Sequence, residues 1–68
     1  MEVRIDTESI NLGQFLKFLG LLGTGGQAKA FLAENTVLVN GVPTGQRGKK
    51  IFSGDVVQVN KAVYRVIG

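Results

Sequence analysis

Three cations lie close together in one short segment, and their chemistry suits a polyanionic partner. Arg47, Lys49 and Lys50 occupy three of four consecutive positions. Gly45 and Gly48 keep the backbone around them adaptable. Lysine and arginine beside phosphates displace condensed counterions, which is the main source of affinity for nucleic acids, and an arginine can also bind a phosphate through two hydrogen bonds or stack on a base. By charge alone, the same segment fits a solubilising loop equally well.

A glycine-rich segment indicates a second place for an anion. Gly25 and Gly26 precede a segment with helical periodicity. A helix N-terminus without side chains in the way exposes backbone N–H groups and a partial positive charge, which suits a phosphate. Gln27 and Lys29 follow directly, and Lys17 belongs to the preceding predicted helix. The alternative is that each lysine lies on a solvated helix face and that Gln27 only caps its helix.

The chain lacks the residues on which most active sites depend. It has no histidine and no cysteine, so its hydroxyl groups have no ordinary base partner and a transition-metal site of familiar type is excluded. Residues 23–28 fit the letters G-x-G-x-x-A, but a helix precedes them where a dinucleotide-binding turn needs a strand. The sequence therefore predicts a protein that is not an enzyme and has no cofactor and no metal.

Length and composition predict one small domain over residues 1–68. The chain is 44% apolar and 19% charged, and its net charge of +3 points weakly to a polyanion partner. No apolar run approaches the roughly 18 residues that span a bilayer. The N-terminal residues lack the basic-then-apolar layout of a signal peptide. We expect a cytoplasmic monomer with no membrane partner.

The first of two predicted helices follows Asn11. This residue is a favoured N-cap, and Gln14 three positions on completes a pair of the capping-box type. Apolar residues then recur at helical spacing until Gly20, and Gln14 and Lys17 point away from them. This buried stripe comprises Leu12, Phe15, Leu16 and Leu19.

The second predicted helix begins at once. Thr24 followed by Gln27 is a capping box, and Lys29 lies clear of the apolar stripe. Two short helices with so brief a connection must pack closely as a corner. The stripe of this helix comprises Ala28, Phe31 and Leu32.

Beyond residue 36 the apolar residues alternate with polar ones, which predicts strands. Asn40-Gly41 is a strong two-residue hairpin signal, because both positions tolerate positive φ. A second two-residue turn is expected at Asn60-Lys61, and Asp55 is expected to close a turn through its side chain. The predicted strands cover residues 3–5, 37–39, 51–52, 56–59 and 63–67.

These elements predict an α+β fold in which a two-helix corner packs on a small, mainly antiparallel β-sheet. Residues 44–50 contain no apolar side chain and are predicted as an open loop. Phe52 either packs against the sheet edge or stacks on a base. One core face is expected to carry Val57, Val59, Tyr64 and Val66. The other aromatic residues expected in the core are Phe15, Phe18 and Phe31.

Five short strings, in order and at matching spacing, resemble a known RNA-binding domain. The family is the alpha-L domain named after small-subunit ribosomal protein four, and the detail is most similar to its stand-alone bacterial members of the YaaA/YbcJ type. The resemblance extends over about residues 10–59. Two positions depart from the pattern, since many relatives carry an arginine where Gln46 stands and a polar residue where Phe52 stands. The strings occupy residues 13–18, 24–29, 39–41, 47–50 and 54–55.

The resemblance implies a module that docks structured RNA, ribosomal RNA above all, through its alpha-L helix corner and the adjoining basic loop. A role in ribosome assembly is implied by the resemblance alone. Asn40 is expected first to hold the hairpin turn and second to contact RNA. The contact positions carried over to this sequence are Gln14, Lys17, Gly25, Gly26, Gln27, Lys29, Asn40, Arg47, Lys49 and Lys50.

A protein-interaction module is the competing interpretation. Phe52, Val56 and Val63, if exposed, would offer an apolar sheet edge to a partner protein or to a second copy. Salt separates the two classes, because phosphate binding weakens steeply with salt and apolar association does not.

Overall fold

Two helices and seven short strands make up the part of the chain that the computed structural model describes, residues 1–23 and 27–68. The predicted α+β class is confirmed. No helix within these residues is long and apolar enough to cross a membrane. In chain order the elements are β1 (Glu2–Arg4), β2 (Ser9–Asn11), α1 (Leu12–Phe18), α2 (Ala28–Glu34), β3 (Val37–Val39), β4 (Val42–Pro43), β5 (Lys50–Phe52), β6 (Val56–Val59) and β7 (Ala62–Ile67).

The strands form two sheets. Five of them pair in the order β1-β7-β6-β3-β4, and β2 pairs with β5 in a separate two-stranded sheet. The pairing is antiparallel except between β1 and β7, which run parallel, so the larger sheet is mainly antiparallel as predicted. Strand β2 was not predicted, because Ser9–Asn11 is only three residues long and contains a single apolar side chain, which is too short a pattern to indicate a strand.

Two asparagines set the hairpin turns at the predicted positions. Asn40 and Gly41 have φ values of 52° and 81° between β3 and β4, and Asn60 has a φ of 54° between β6 and β7. Asparagine and glycine tolerate this left-handed conformation, which matches the twist of a two-residue hairpin. The register of β6 and β7 follows from the second turn and pairs Val57 with Tyr64.

Helix α1 has the predicted start and end. The side chain of Asn11 accepts a hydrogen bond from the Gln14 N–H at 2.8 Å. Gly20 follows the helix with a φ of 79°, and its N–H donates to the Lys17 carbonyl at 2.9 Å. Such a left-handed glycine satisfies carbonyl groups that the helix itself leaves without partners.

Helix α2 is described from Ala28, with Gln27 in the N-cap position. The side-chain oxygen of Gln27 accepts a hydrogen bond from the Gly23 N–H at 2.8 Å. The predicted cap residue Thr24 lies outside the described residues. Ala28 and Leu32 are buried, as the predicted stripe requires.

The core lies between the helices and both sheets. Phe15 is completely buried and meets Tyr64 edge to face, with ring centroids 6.3 Å apart. Phe18 was expected in the core, but it is 63% exposed at the end of α1, because its position lies at the margin of the buried stripe. The core residues are Val3, Ile5, Leu12, Phe15, Leu16, Leu22, Ala28, Leu32, Val37, Val39, Ile51, Val57, Val59 and Val66.

Candidate nucleic-acid interface

The basic loop, which we define as residues 44–50, is fastened to the start of α1. The Leu12 N–H donates to the Lys49 carbonyl at 2.8 Å, and the Gly13 N–H donates to the Arg47 carbonyl at 2.9 Å. With the Asn11 side chain on the Gln14 N–H, the first three N–H groups of the helix are therefore bonded. A helix leaves these groups without internal partners. In this protein the loop and the cap residue supply them.

The prediction of a loop holds for residues 44–49, which form neither helix nor strand, but this loop is not open. The loop begins with a bond from the Thr44 N–H to the Val37 carbonyl at 3.0 Å. It turns with a bond from the Lys49 N–H to the Gln46 carbonyl at 3.1 Å, and Lys50 already belongs to β5. Composition missed this arrangement, because the bonds use backbone groups that every residue carries.

A groove of about 370 Å³ lies between α1, the start of α2 and the basic loop; we call it the helix groove. Its exposed polar side chains are Gln14, Lys17 and Arg47. Two cations and an amide from separate chain segments thus lie around one concave surface. Its lining residues are Asn11, Gly13, Gln14, Lys17, Ala28, Arg47 and Gly48.

Gly13 is the point at which the three walls of the helix groove meet. A Cβ atom at this position would lie 3.5 Å from the Cβ of Ala28, 3.5 Å from the Cβ of Arg47 and 3.5 Å from the Arg47 carbonyl oxygen. These are ordinary van der Waals distances, so the space holds one methyl group and little more. The small residues at positions 13 and 28 allow the loop and α2 to approach α1 closely.

A second groove of about 610 Å³ lies on the other side of the basic loop; we call it the hairpin groove. Lys49 and Lys50 line it together with the β3–β4 hairpin and the end of β5. The basic loop is therefore a wall shared by the two grooves, with Arg47 on one side and the two lysines on the other. The lining residues are Val39, Asn40, Val42, Pro43, Thr44, Gly45, Gln46, Lys49, Lys50, Phe52 and Asp55.

Asn40 holds the hairpin turn, as expected, and also joins it to β5 and β6. Its side-chain oxygen accepts from the Val56 N–H at 2.9 Å, and its amide nitrogen donates to the Asp55 carboxylate at 3.1 Å. The other carboxylate oxygen accepts from the Phe52 N–H at 2.9 Å, so Asp55 closes its turn through the side chain. The link between Asn40 and Asp55 was not predicted, because nothing local in the sequence relates positions 15 residues apart.

The remaining predicted contact residues belong to α2 and to the segment before it in the sequence. Lys29 is exposed in the first turn of α2, but it does not line either groove. Gln27 is exposed at the N-cap of that helix, and its side-chain oxygen is occupied by Gly23. Gly25 and Gly26, where a phosphate was expected to sit, lie outside the described residues.

The apolar side chains of the competing interpretation do not line a common groove. Val56 and Val63 line a shallow groove of about 260 Å³ on the outer side of β6 and β7. Phe52 is 44% exposed and lines the hairpin groove instead.

Comparison with known proteins identifies a family and a relative that this chain resembles. A family model described as "S4 domain" matches residues 3–67. A protein of Bacillus subtilis (strain 168), named "Probable ribosome maturation protein RlbA", is 53% identical to this chain over 57 residues. The aligned segment covers 84% of this chain and 80% of that protein. The similarity therefore includes both helices, the basic loop and most of the sheet.

Proposed function

The chain belongs to the S4 domain family, and from that premise we propose that it is a non-enzymatic, monomeric RNA-binding protein that acts in ribosome assembly. The proposed ligand is structured RNA, ribosomal RNA in the first place. The name of the Bacillus subtilis relative supports the assignment to ribosome maturation. The family match supports RNA as the partner.

One observation carries the proposed mechanism: the basic loop is fixed by its backbone between two grooves, while its cations remain exposed. Because the loop carbonyls are held by hydrogen bonds, the backbone positions that carry the side chains of Arg47, Lys49 and Lys50 are fixed as well. A cation that is already positioned loses less conformational entropy when it meets a phosphate. The loop therefore suits a ligand whose phosphates have a fixed spacing, as in folded RNA.

In this mechanism the alpha-L corner formed by α1 and α2 and the basic loop receive the RNA backbone together. Lys17 and Arg47 neutralise phosphates at the helix groove, and Gln14 between them hydrogen-bonds to phosphate or ribose. Lys49 and Lys50 neutralise phosphates at the hairpin groove. Lys29, together with Gly25, Gly26 and Gln27, which precede α2 in the sequence, extends this contact. Such contacts recognise shape and phosphate spacing more than base sequence.

The test is fluorescence anisotropy with a folded ribosomal RNA fragment and an unstructured RNA of equal length, titrated from low to physiological salt. Four phosphate contacts, from Lys17, Arg47, Lys49 and Lys50, predict a slope of about −3 in a plot of log affinity against log salt. We expect tighter binding to the folded RNA. Equal affinity for both RNAs would contradict the proposed recognition of shape.

Charge reversal assigns the binding to the basic loop. Lys49→Glu combined with Lys50→Glu is expected to weaken RNA binding and to reduce the salt slope by about 1.5 units, the share of two phosphate contacts. Lys61→Glu is the matched control, because Lys61 is exposed in the β6–β7 turn and lines neither groove. Unchanged affinity in the double variant, or an equal loss in the control, would contradict the mechanism.

A further inference from the structure

The hairpin groove combines positive charge with apolar surface, and a contact with phosphate alone needs only the charge. Lys49 and Lys50 lie on the side formed by the basic loop and the start of β5. The β4 residues Val42 and Pro43 also line the groove, and Val42 is 64% exposed. Phe52 also lines the groove and is 44% exposed. The groove therefore offers apolar and aromatic surface beside positive charge.

The strand geometry of β5 relates the cation to the aromatic ring. Ile51 is completely buried, while Lys50 and Phe52 on either side of it are exposed. Alternate residues of a strand lie on the same face, about 7 Å apart along the strand. Lys50 and Phe52 therefore present a charge and a ring to the same side, at a spacing that one nucleotide can bridge between its phosphate and its base.

The backbone beneath the ring is held by side-chain hydrogen bonds. The Phe52 N–H donates to the Asp55 carboxylate, whose other oxygen accepts from the Asn40 amide. Both carboxylate oxygens are thus engaged within the protein, and Asp55 is only partly exposed. These bonds tie the end of β5 to the β3–β4 hairpin, so the floor and wall of the groove form one fixed unit. Such preorganisation lowers the entropy lost on binding.

We propose that the hairpin groove binds a single unpaired nucleotide of the RNA, an inference that rests on the proposed function. The base stacks on the Phe52 ring and contacts Val42 and Pro43, while the adjacent phosphate meets Lys49 and Lys50. The volume of about 610 Å³ falls within the range of small-molecule sites. Proteins read single bases in RNA mainly where those bases are unpaired and can stack on aromatic side chains.

Charge favours a nucleotide over an apolar protein segment as the occupant. An apolar protein side chain that filled the space beside Phe52 would bring no partner for the two lysines. A nucleotide contacts the apolar surface and the lysines of the groove at once, since its base is flat and apolar on its faces and its phosphate is anionic. The helix groove, by contrast, is lined by no aromatic residue among those described, so it suits the sugar–phosphate backbone and not a stacked base.

The experiment uses two RNA hairpins with the same stem, each closed by a non-nucleotide linker in place of a nucleotide loop, of which one carries a single unpaired adenosine as a bulge. The intact protein is expected to prefer the bulged hairpin. Phe52→Leu keeps apolar volume but removes the ring, and it is expected to lower affinity for the bulged hairpin by at least about fivefold. Affinity for the fully paired hairpin should stay within twofold. Phe52→Tyr keeps the ring and should retain the preference.

Phe18→Leu is the matched control, because Phe18 is an exposed phenylalanine that does not line this groove. It should leave the preference for the bulge intact. A second measurement needs no variant: the Phe52 ring protons should shift in the NMR spectrum when the bulged hairpin is added and not when the paired hairpin is added. Thermal unfolding of each variant confirms that it is folded.

The outcomes separate this proposal from the proposed function. Salt-dependent binding of both hairpins with equal affinity, or a bulge preference that survives Phe52→Leu, overturns the nucleotide site and leaves RNA binding standing. Binding of neither hairpin at low salt overturns both proposals. A protein segment would then be the occupant to test.

Discussion

Asn40 illustrates how one residue can meet two requirements at once. Its backbone adopts the left-handed conformation that the β3–β4 turn needs. Its side chain bonds to the Val56 N–H and to the Asp55 carboxylate, and its own N–H donates to the Val56 carbonyl at 2.8 Å. Both sets of interactions position the wall of the hairpin groove, so any effect of Asn40 on RNA binding includes a contribution from this structural role.

Two substitutions of Asn40 separate the contribution of its side-chain hydrogen bonds to stability from that of its left-handed backbone. Asn40→Gly keeps the left-handed backbone but removes the side-chain bonds, so it should lower the free energy of unfolding by about 1–2 kcal/mol. Asn40→Ala adds the cost of a left-handed backbone with a Cβ atom, about 1 kcal/mol more. Urea denaturation of the three proteins measures both differences. Equal stability of the glycine and wild-type proteins would show that the side-chain bonds contribute nothing.

At the scale of elements, the helix groove depends on how closely α1, α2 and the basic loop approach one another. Gly13 lies in the first turn of α1, where its N–H bonds to the Arg47 carbonyl and its Cα faces Ala28. Glycine has a low helix propensity, so local preference does not explain its presence. The packing allows a methyl group at this position but not a larger side chain.

The substitutions Gly13→Ala and Gly13→Leu should therefore change the free energy of unfolding in opposite directions. The alanine variant should be more stable by about 0.5–1 kcal/mol, because its methyl group fits and the unfolded chain loses freedom. The leucine variant must displace Arg47 or Ala28 and should be less stable by about 1–3 kcal/mol. It should also weaken RNA binding, since either displacement changes the helix groove that Arg47 and Ala28 line. Urea denaturation measures the stability of the variants, and fluorescence anisotropy measures their affinity for RNA. A leucine variant as stable as the alanine variant would contradict the close approach.

At the scale of the whole molecule, one core joins both sheets to the helices. Ile51 comes from the small sheet and is completely buried, as are Val57 and Val66 of the large sheet and Phe15 of α1. The small sheet has no core of its own, because its other strand β2 is only partly buried. Its strands are therefore stable only as part of the whole fold.

Ile51→Ala should accordingly unfold the protein cooperatively. The substitution costs about 2–5 kcal/mol, which approaches the total stability expected for a chain of this size. Val63→Ala is the control, since Val63 is 49% exposed and should change stability by less than about 0.5 kcal/mol. Circular dichroism in the far and near ultraviolet should report coincident loss of helices and tertiary packing. Loss of β2–β5 pairing with the remaining structure intact would contradict a single core.

Local signals in the sequence determined the helices and hairpin turns. The Asn11 cap, the Gly20 stop and the turns at Asn40 and Asn60 depend on interactions between residues a few positions apart, so one segment contains all the information. The cations of the basic loop were found for the same reason, because their types and spacing are local. That these residues contact RNA remains a prediction.

Only the tertiary structure decided which segments meet. The pairing of β2 with β5, the parallel pairing of β1 with β7 and the attachment of the basic loop to α1 all join residues distant in sequence. They use backbone hydrogen bonds, which residue type barely influences. The exposure of Phe18 and Phe52 is likewise decided by what packs around each ring, since hydrophobicity indicates only that a ring can be buried. The sequence alone thus determined which residues could bind RNA, and the fold decided how they are arranged.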